Sequence, residues 1–407
     1  MQTDYNREEP LIMHVDLNSA FATIEQQSRP LLRGRPVAIV NRRTENTSIV
    51  TASYEAKFKG VKVGMKFAEA KRLVPDLVGL ESDPPKYKYV YRKLMGIMND
   101  YSSNVVMKSI DEGVIDFHGV VRDRSLYDIG MEIKERLRCE VGCAVRCNVG
   151  IGPSRFLAKT AAGLHKPDGI DIINSDNLRE VYKTMKLTDL TGIAGRFENR
   201  LNAVGIFTPI EFLDADVDTL QKVVFKGIVG EHWYDRLRGY EVDDRFVSTK
   251  TIGRQYVLEN RNLTRAQISA NLHQLCESVG ARLRAQGLVA RGVHVHIRTV
   301  DREYWHASHS TQMPFYTNAT INTLAQQIFA RSPENIQEIG VRCYSLSDDN
   351  NPQVSLFNDM LVREQHLSSA IDNINSRFGE RMVHSANTLG GSKFIKTKVP
   401  FGSTRYL

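Results

Sequence analysis

Two short stretches decide how this chain of 407 residues is read: Leu11-Ile-Met-His-Val-Asp16-Leu-Asn-Ser-Ala-Phe21 and Val105-Val-Met-Lys-Ser-Ile-Asp111-Glu112-Gly-Val-Ile-Asp-Phe117. The first is a brief apolar run, short enough for a buried strand, that ends at Asp16. The second is a pair of strand-like runs, 105–110 and 113–117, on either side of two adjacent carboxylates. A break in flat pleating between those runs would aim Asp111 and Glu112 at one place. Taken alone, each carboxylate has an ordinary reading. An Asp closing a strand is a helix cap or a turn former, and an Asp-Glu pair can be solvated hairpin decoration. Asp116, further along the second run, reads as structural.

Outward from these stretches, residues 19–27 read as a helix, 36–40 and 47–52 as strands, and 53–74 as helical with breaks at Gly60 and Gly64. Tyr87, Val90, Leu94, Ile97 and Tyr101 fall on one side of an amphipathic helix. A charged helix includes 134–137, a strand runs from Cys143 to Ile151, and Ser154 to Leu164 is helical. Pro167-Asp-Gly169 is a turn before a strand at 170–173. Alternation of strands and helices through about residue 175 predicts a sheet domain with helices on one side. From 178 to 239 the pattern is helical only. A new unit begins near Val247. There Thr264-Arg-Ala-Gln267 is a capping box, and Gly287 ends the helix that it opens. Residues 292–300 alternate, with Val293, Val295 and Ile297 on one face and His294, His296 and Arg298 on the other. A helix at 320–330 and a strand at 337–344 follow, and 348–352 reads as a linker.

Hydrophobic residues make up 42% and charged residues 25%, the balance of a soluble multidomain protein. No apolar run is long enough to span a bilayer and the first ten residues are polar, so the cytoplasm is expected. The odd count of five cysteines argues against a disulfide framework. Cys139, Cys143 and Cys147 are evenly spaced but lack a fourth ligand at zinc-site spacing, and are expected to pack in the core. The net charge of +7 suits a polyanionic partner without proving one. No Gly-x-x-x-x-Gly-Lys-Ser/Thr loop is present, which disfavours a P-loop motor. Carboxylates at rigid strand ends do suit phosphate chemistry, in which two divalent ions activate the attacking and leaving oxygens.

Several segments carry a resemblance that changes this balance. His14-Val-Asp-Leu-Asn-Ser-Ala-Phe21-Ala and Ser109-Ile-Asp-Glu-Gly113 resemble the two metal-binding motifs of the Y-family, or lesion-bypass, DNA polymerases. Ser53-Tyr-Glu-Ala-Lys-Phe-Lys-Gly60-Val resembles their fingers motif. Gly150-Ile-Gly-Pro-Ser-Arg-Phe-Leu-Ala-Lys159 and Lys166-Pro-Asp-Gly169 resemble the following palm segment, and order and separation match over about residues 11–345. The resemblance implies an α+β multidomain right hand. Its palm would be 1–19 with 83–175, its fingers 20–82, its helical thumb 176–243 and its α/β little finger 244–347. It implies a low-fidelity, template-directed DNA polymerase serving translesion synthesis in DNA repair and the SOS response. Two Mg²⁺ would be held by Asp16, Asp111 and Glu112, with the Leu17 carbonyl as a further oxygen. Phe21 would be the steric gate against a 2′-hydroxyl. Tyr54, Lys57 and Lys166 would hold the triphosphate. Lys57 stands where the family commonly has Arg, losing the bidentate fork but keeping the charge. Gly113 replaces the usual Ala, and Ser19 and Ala20 are smaller than the aromatics often found before the gate. Ser48, Val50 and Gly64 around the base-pair pocket are small, which fits poor enclosure of the nascent pair.

Downstream, Thr191-Gly192-Ile-Ala-Gly195 resembles a helix-hairpin-helix, whose backbone N–H groups bind phosphate without reading sequence. His294, His296 and Arg298 are expected along the duplex. Gln353-Val354-Ser355-Leu356-Phe357 resembles the pentapeptide by which bacterial polymerases dock on the sliding clamp. Residues 370–378 resemble the tail of the catalytic subunit of bacterial polymerase V, which adds activating subunits to the candidate partners. Lys393, Lys396, Lys398 and Arg405 give a basic end to 348–407, read as linker, clamp peptide and tail. Primed DNA, dNTPs and the clamp are thus the expected partners. The alternatives are a catalytically silent relative that links DNA to the clamp, and a cyclase on a similar palm. Retention of all three carboxylates disfavours the first, and the thumb and clamp motifs disfavour the second.

Overall fold

The run beginning at Leu11 forms a central strand, and its neighbours in the sheet come from far along the chain. The computed structural model describes residues 5–42, 44–244, 249–258, 262–348, 359–391 and 395. The expected clamp peptide, 353–357, lies outside the described residues, as do Lys393, Lys396, Lys398 and Arg405. The chain divides into two compact units, with the break between Arg245 and Phe246.

In chain order the first unit contains β1 (Ile12–Leu17), β2 (Val37–Val40), β3 (Ile49–Ala52), β4 (Val78–Glu81), β5 (Val105–Met107), β6 (Glu112–Asp116), β7 (Cys147–Gly152) and β8 (Ile170–Ile172). Five of these make one sheet in the order β5-β6-β1-β7-β8, and three make a small sheet in the order β3-β2-β4. Strand β4, parallel to β2, was not expected from the sequence, because Val-Gly-Leu-Glu is only four residues long. Met13, Val15 and Leu17 on β1 face a core shared with the helices Pro84–Asn99 and Leu126–Glu140, which include Leu94, Ile97, Ile129 and Ile133. Each such side chain removed from water contributes roughly 1.5–3 kcal/mol.

The expectation of helices on one side only is corrected. Helix Arg155–Leu164 covers the opposite face, where Ala158 packs with Ile12 and Val114. Two glycines on β7 make that possible. A Cβ at Gly150 would stand 2.1 Å from the Ala158 carbonyl oxygen, and one at Gly152 would stand 2.7 Å from the Ala158 nitrogen. The cysteine expectation also needs correcting, since Cys147 is buried but Cys139 and Cys143 are exposed. Helix Leu126–Glu140 ends before Cys143, and β7 begins only at Cys147, so the residues between form a surface turn. Residues 178–237 fold as short helices around Tyr182, Phe212 and Trp233.

The second unit holds β9 (Thr251–Val257), β10 (Leu288–Thr299), β11 (Tyr304–Phe315) and β12 (Ile336–Asp348) in an antiparallel sheet of order β11-β10-β12-β9. Helices Arg265–Ala285 and Asn318–Phe329 cover the face carrying Val293, Val295 and Ile297. The capping box at Thr264 is formed, with Gln267 Oε1 accepting from Thr264 N at 2.8 Å. The segment after the linker, read only as a tail, folds against this unit. Helix Asp359–Phe378 is fixed by Arg284, whose Nε and Nη2 donate to the two Asp372 oxygens at 2.6 and 2.9 Å. Arg381 pairs with Glu277 at 2.6 Å, Arg254 Nη2 donates to the Ile395 carbonyl at 2.7 Å, and Ile395 enters the core.

Two outcomes follow from this packing. Gly150→Ala should destabilise the first unit by about 1–3 kcal/mol, the cost of forcing backbone apart in a packed layer, read as a shift of the urea midpoint. Asp372→Asn should lower stability by roughly 1–2 kcal/mol, because a charge-assisted fork is lost, and calorimetry of the full chain would register it.

Candidate active site

Strand pairing brings the carboxylates together. Asp16 lies directly opposite Glu112 in the β1–β6 register, and the Leu17 N–H donates to the Asp111 carbonyl at 2.8 Å. Lys108 N and Ser109 N both donate to the Glu112 carbonyl, at 3.0 and 3.2 Å, so the chain turns tightly just before β6. Ser109 Oγ donates to Asp111 Oδ1. That turn is the kind of departure from flat pleating that would aim Asp111 and Glu112 at one place.

The electrostatics are those of crowded negative charge. Burial raises the Asp111 pKa, Ser109 opposes the rise, and the charges of Asp16 and Glu112 raise it further. Glu112 differs. Burial pushes it up, but His14 and Lys159 outweigh burial and hold it at about 2. His14 Nε2 lies 3.0 Å from Glu112 Oε2, and Lys159 Nζ donates to the same oxygen at 2.7 Å. Lys166 donates to Asp16 Oδ2. Two of the three carboxylates therefore lean on lysines. Among the described residues no three acidic, His or Cys side chains already converge to hold a metal ion. The donor set nevertheless fits hard divalent cations: three carboxylates at the ends of adjacent strands and in the turn between them, with Asp111 raised by burial and further by the charges of the other two.

Beside the carboxylates stands a cluster of donors. Lys57 Nζ donates to Ser19 Oγ at 2.8 Å and lies 4.8 Å from the Tyr54 ring centre. Burial lowers the Lys57 pKa and the Lys166 charge lowers it further, with Asp16 opposing. Burial raises Tyr54, and so does Asp16. The structure thus gathers Tyr54, Lys57 and Lys166 around Asp16. Phe21 is in the first turn of helix Ala20–Ser28, reached through Ser19 in a left-handed conformation (φ 48°). Phe21 is 4% exposed, and its ring stacks on Tyr87.

Sequence reasoning missed several of these residues. His14 opens the first motif but carried no role of its own there, a lone histidine inside an apolar run. Lys159 is the one cation of helix Arg155–Leu164 besides Arg155, in a stretch otherwise mostly small and apolar. Asn18 was hidden within the first motif. Its Nδ2 donates to Asn148 Oδ1 at 2.9 Å, and its Oδ1 accepts from Asp168 N at 2.7 Å, tying the Lys166 loop to the ends of β1 and β7. Asp116 meets His118 and Arg155, in keeping with a structural role.

The remaining site residues lie elsewhere. Gly192 has φ 107°, and a Cβ there would stand 3.1 Å from Trp233 Cζ2; Gly195 opens helix Gly195–Asn202. The helix before this turn is only a 3₁₀ turn, Leu187–Asp189. In the second unit, His294, His296 and Arg298 occupy the sheet face away from the helices. Arg298 is exposed, but His294 is buried, stacked on His306 and 3.3 Å from Arg342. Burial, with Arg342 and the neighbouring histidines, lowers His294 to about 4, so it offers ring surface rather than charge at neutral pH.

Residues 15–163 match the impB/mucB/samB family, and residues 249–356 match the C-terminal domain of the same family. The chain is 33% identical to DNA polymerase IV of Moorella thermoacetica, over 94% of this chain and 96% of that protein. It is 30% identical to DNA polymerase IV of Pelotomaculum thermopropionicum, over 93% and 95%. A Y-family DNA polymerase chimera built on Dbh has the same fold, with a TM-score of 0.69 at 21% identity, over 82% of this chain and 98% of that one. Among the described residues no helix is long and apolar enough to cross a membrane. The chain therefore belongs to the impB/mucB/samB family, that of the Y-family DNA polymerases.

Proposed function

We propose that this polymerase extends a primer on a DNA template by nucleotidyl transfer at the Asp16–Asp111–Glu112 site. The observation that carries the reading is the register placing Asp16 opposite Glu112, with Asp111 in the adjoining turn. Asp16, Asp111, Glu112 and the Leu17 carbonyl would hold two divalent cations, Mg²⁺ by the hardness of the donors. These supply activation of the attacking hydroxyl and neutralisation of the leaving oxygens.

The chain's own residues do the positioning. Ser109 orients Asp111, and His14 with Lys159 fixes Glu112 by one oxygen, Oε2. Tyr54, Lys57 and Lys166 receive the triphosphate, where fixed donors stabilise the charge that develops in transfer. Arrival of that polyanion gives Lys166 a partner other than Asp16. Phe21 excludes a 2′-hydroxyl. Small residues at Ser48, Val50 and Gly64 leave the nascent base pair loosely enclosed, which suits low-fidelity synthesis across damaged templates.

The same reading divides the chain into palm (1–19, 83–175), fingers (20–82), thumb (176–243), little finger (244–347) and the segment 348–407. The turn with Gly192 and Gly195 meets backbone phosphates, and the sheet face bearing His294, His296 and Arg298 lies along the duplex. Gln353 to Phe357 docks on the sliding clamp, and activating subunits remain candidates as further partners. On this reading the protein works in the cytoplasm, with a role in the SOS response. A silent accessory role has no observation in its favour, because all three carboxylates and their supports are present.

Replacing Asp111 and Glu112 together with Ala should abolish primer extension with dNTPs and Mg²⁺, while circular dichroism shows the fold retained. Deleting residues 353–357 should leave single-nucleotide insertion unchanged and weaken binding to the clamp by at least about tenfold, as expected when a short peptide supplies most of the contact. Surface plasmon resonance on immobilised clamp would measure that loss.

A further inference from the structure

Glu25 is a fully buried carboxylate that the transfer reaction does not use. Taking a carboxylate out of water costs several kcal/mol unless partners satisfy it. Here Lys86 Nζ donates to Oε2 at 2.8 Å, Arg29 Nη1 stands 3.7 Å from the same oxygen, and the Tyr87 hydroxyl donates to Oε1 at 3.3 Å. Lys86 is also held by Asp83 at 3.4 Å. Burial raises the Tyr87 pKa, so its phenol stays protonated and donates to Glu25. Tyr87, itself 1% exposed, lies against Phe21 with ring centres 4.3 Å apart and planes 11° from parallel. The relay Lys86–Glu25–Tyr87–Phe21 thus joins helix Pro84–Asn99 to the first turn after the Asp16 strand.

A gate that works by steric exclusion is only as selective as its backing is stiff. A ring free to retreat a fraction of an ångström admits a hydroxyl, and close-packed interiors resist such retreat. Simple core packing beneath Phe21 would be served by Leu or Met, without a buried charge. We propose that Tyr87, anchored by Glu25 and Lys86, is the backing that makes Phe21 discriminate deoxyribose from ribose. Tyr87 and Glu25 are then positioning residues for sugar selectivity. This rests on the reading of Phe21 as the gate.

The test is single-nucleotide insertion by the full chain on primed template, comparing kcat/KM for dCTP and rCTP. Phe21→Ala serves as the reference for a lost gate. Tyr87→Leu should lower the dCTP/rCTP ratio by roughly tenfold through faster rCTP insertion, and Glu25→Gln should lower it by about threefold, within the range that shape discrimination supplies. Tyr87→Phe keeps the ring and loses only the bond to Glu25, so it should follow Glu25→Gln rather than Tyr87→Leu. If Tyr87→Leu fails to fold, the other two variants carry the test. A wild-type ratio in these variants, with the ratio lowered in Phe21→Ala, overturns the backing role while leaving the gate. Equal losses for dCTP and rCTP would show a purely structural role and overturn it too. An unchanged ratio in Phe21→Ala removes the gate itself, and this proposal with it.

Discussion

Three carboxylates forced into one place are the constraint around which the first unit is built. Asp16 faces Glu112 across a strand pair, and Asp111 is one residue away. In isolation such an arrangement would separate or take up protons, as like charges in a partly desolvated site do. It persists because the backbone carrying it is paired on both sides: β1 lies between β6 and β7, and the turn before β6 is closed by its own hydrogen bonds. Ser109, His14, Lys159 and Lys166 then satisfy individual oxygens. In the proposed reading the same charge would draw divalent cations, and the phosphates that come with them, to the site.

That scaffold depends on small residues as much as on large ones. Gly150 and Gly152 let a helix lie directly on the strand beside β1, and the helix delivers Lys159 to Glu112. On the other face, longer helices and a continuous apolar core anchor β1 through Met13, Val15 and Leu17. Asn18 and Asn148 link the ends of β1 and β7 to the loop presenting Lys166. A pair of amides suits this task, since each supplies both a donor and an acceptor and none adds charge to an already crowded site.

Much of this was legible in the sequence. An apolar run too short for a helix, ending in Asp16, and two runs hinged at Asp111 and Glu112 carried enough local information to place the central strands. The helix from Thr264 to Gly287 was equally clear, because cap, stripe and terminator agree. What escaped was information that is not local. Strand β4 exists through its pairing with β2, and β11 is an edge strand whose outer face, His306, Ser308 and Ser310, has no apolar rhythm. The segment 359–395 looked like a tail because its hold comes from single polar contacts, Asp372 and Arg381 above all, with residues about 90 and 100 positions earlier. Cys143 sat in an apolar-looking run that the chain uses as a surface turn. Lys159 and His14 became visible as partners of Glu112 only once the sheet register was known.

The proposed chemistry stands on Asp16, Asp111 and Glu112 holding the cations of nucleotidyl transfer. The most direct measurement is titration of Mn²⁺, followed by electron paramagnetic resonance, into the full chain with primed DNA and a non-hydrolysable dNTP. Two tightly bound ions per molecule are expected in the wild type, with at least one lost in Asp111→Asn. Equal Mn²⁺ binding by wild type and Asp111→Asn, or none beyond that of DNA and nucleotide alone, would contradict it.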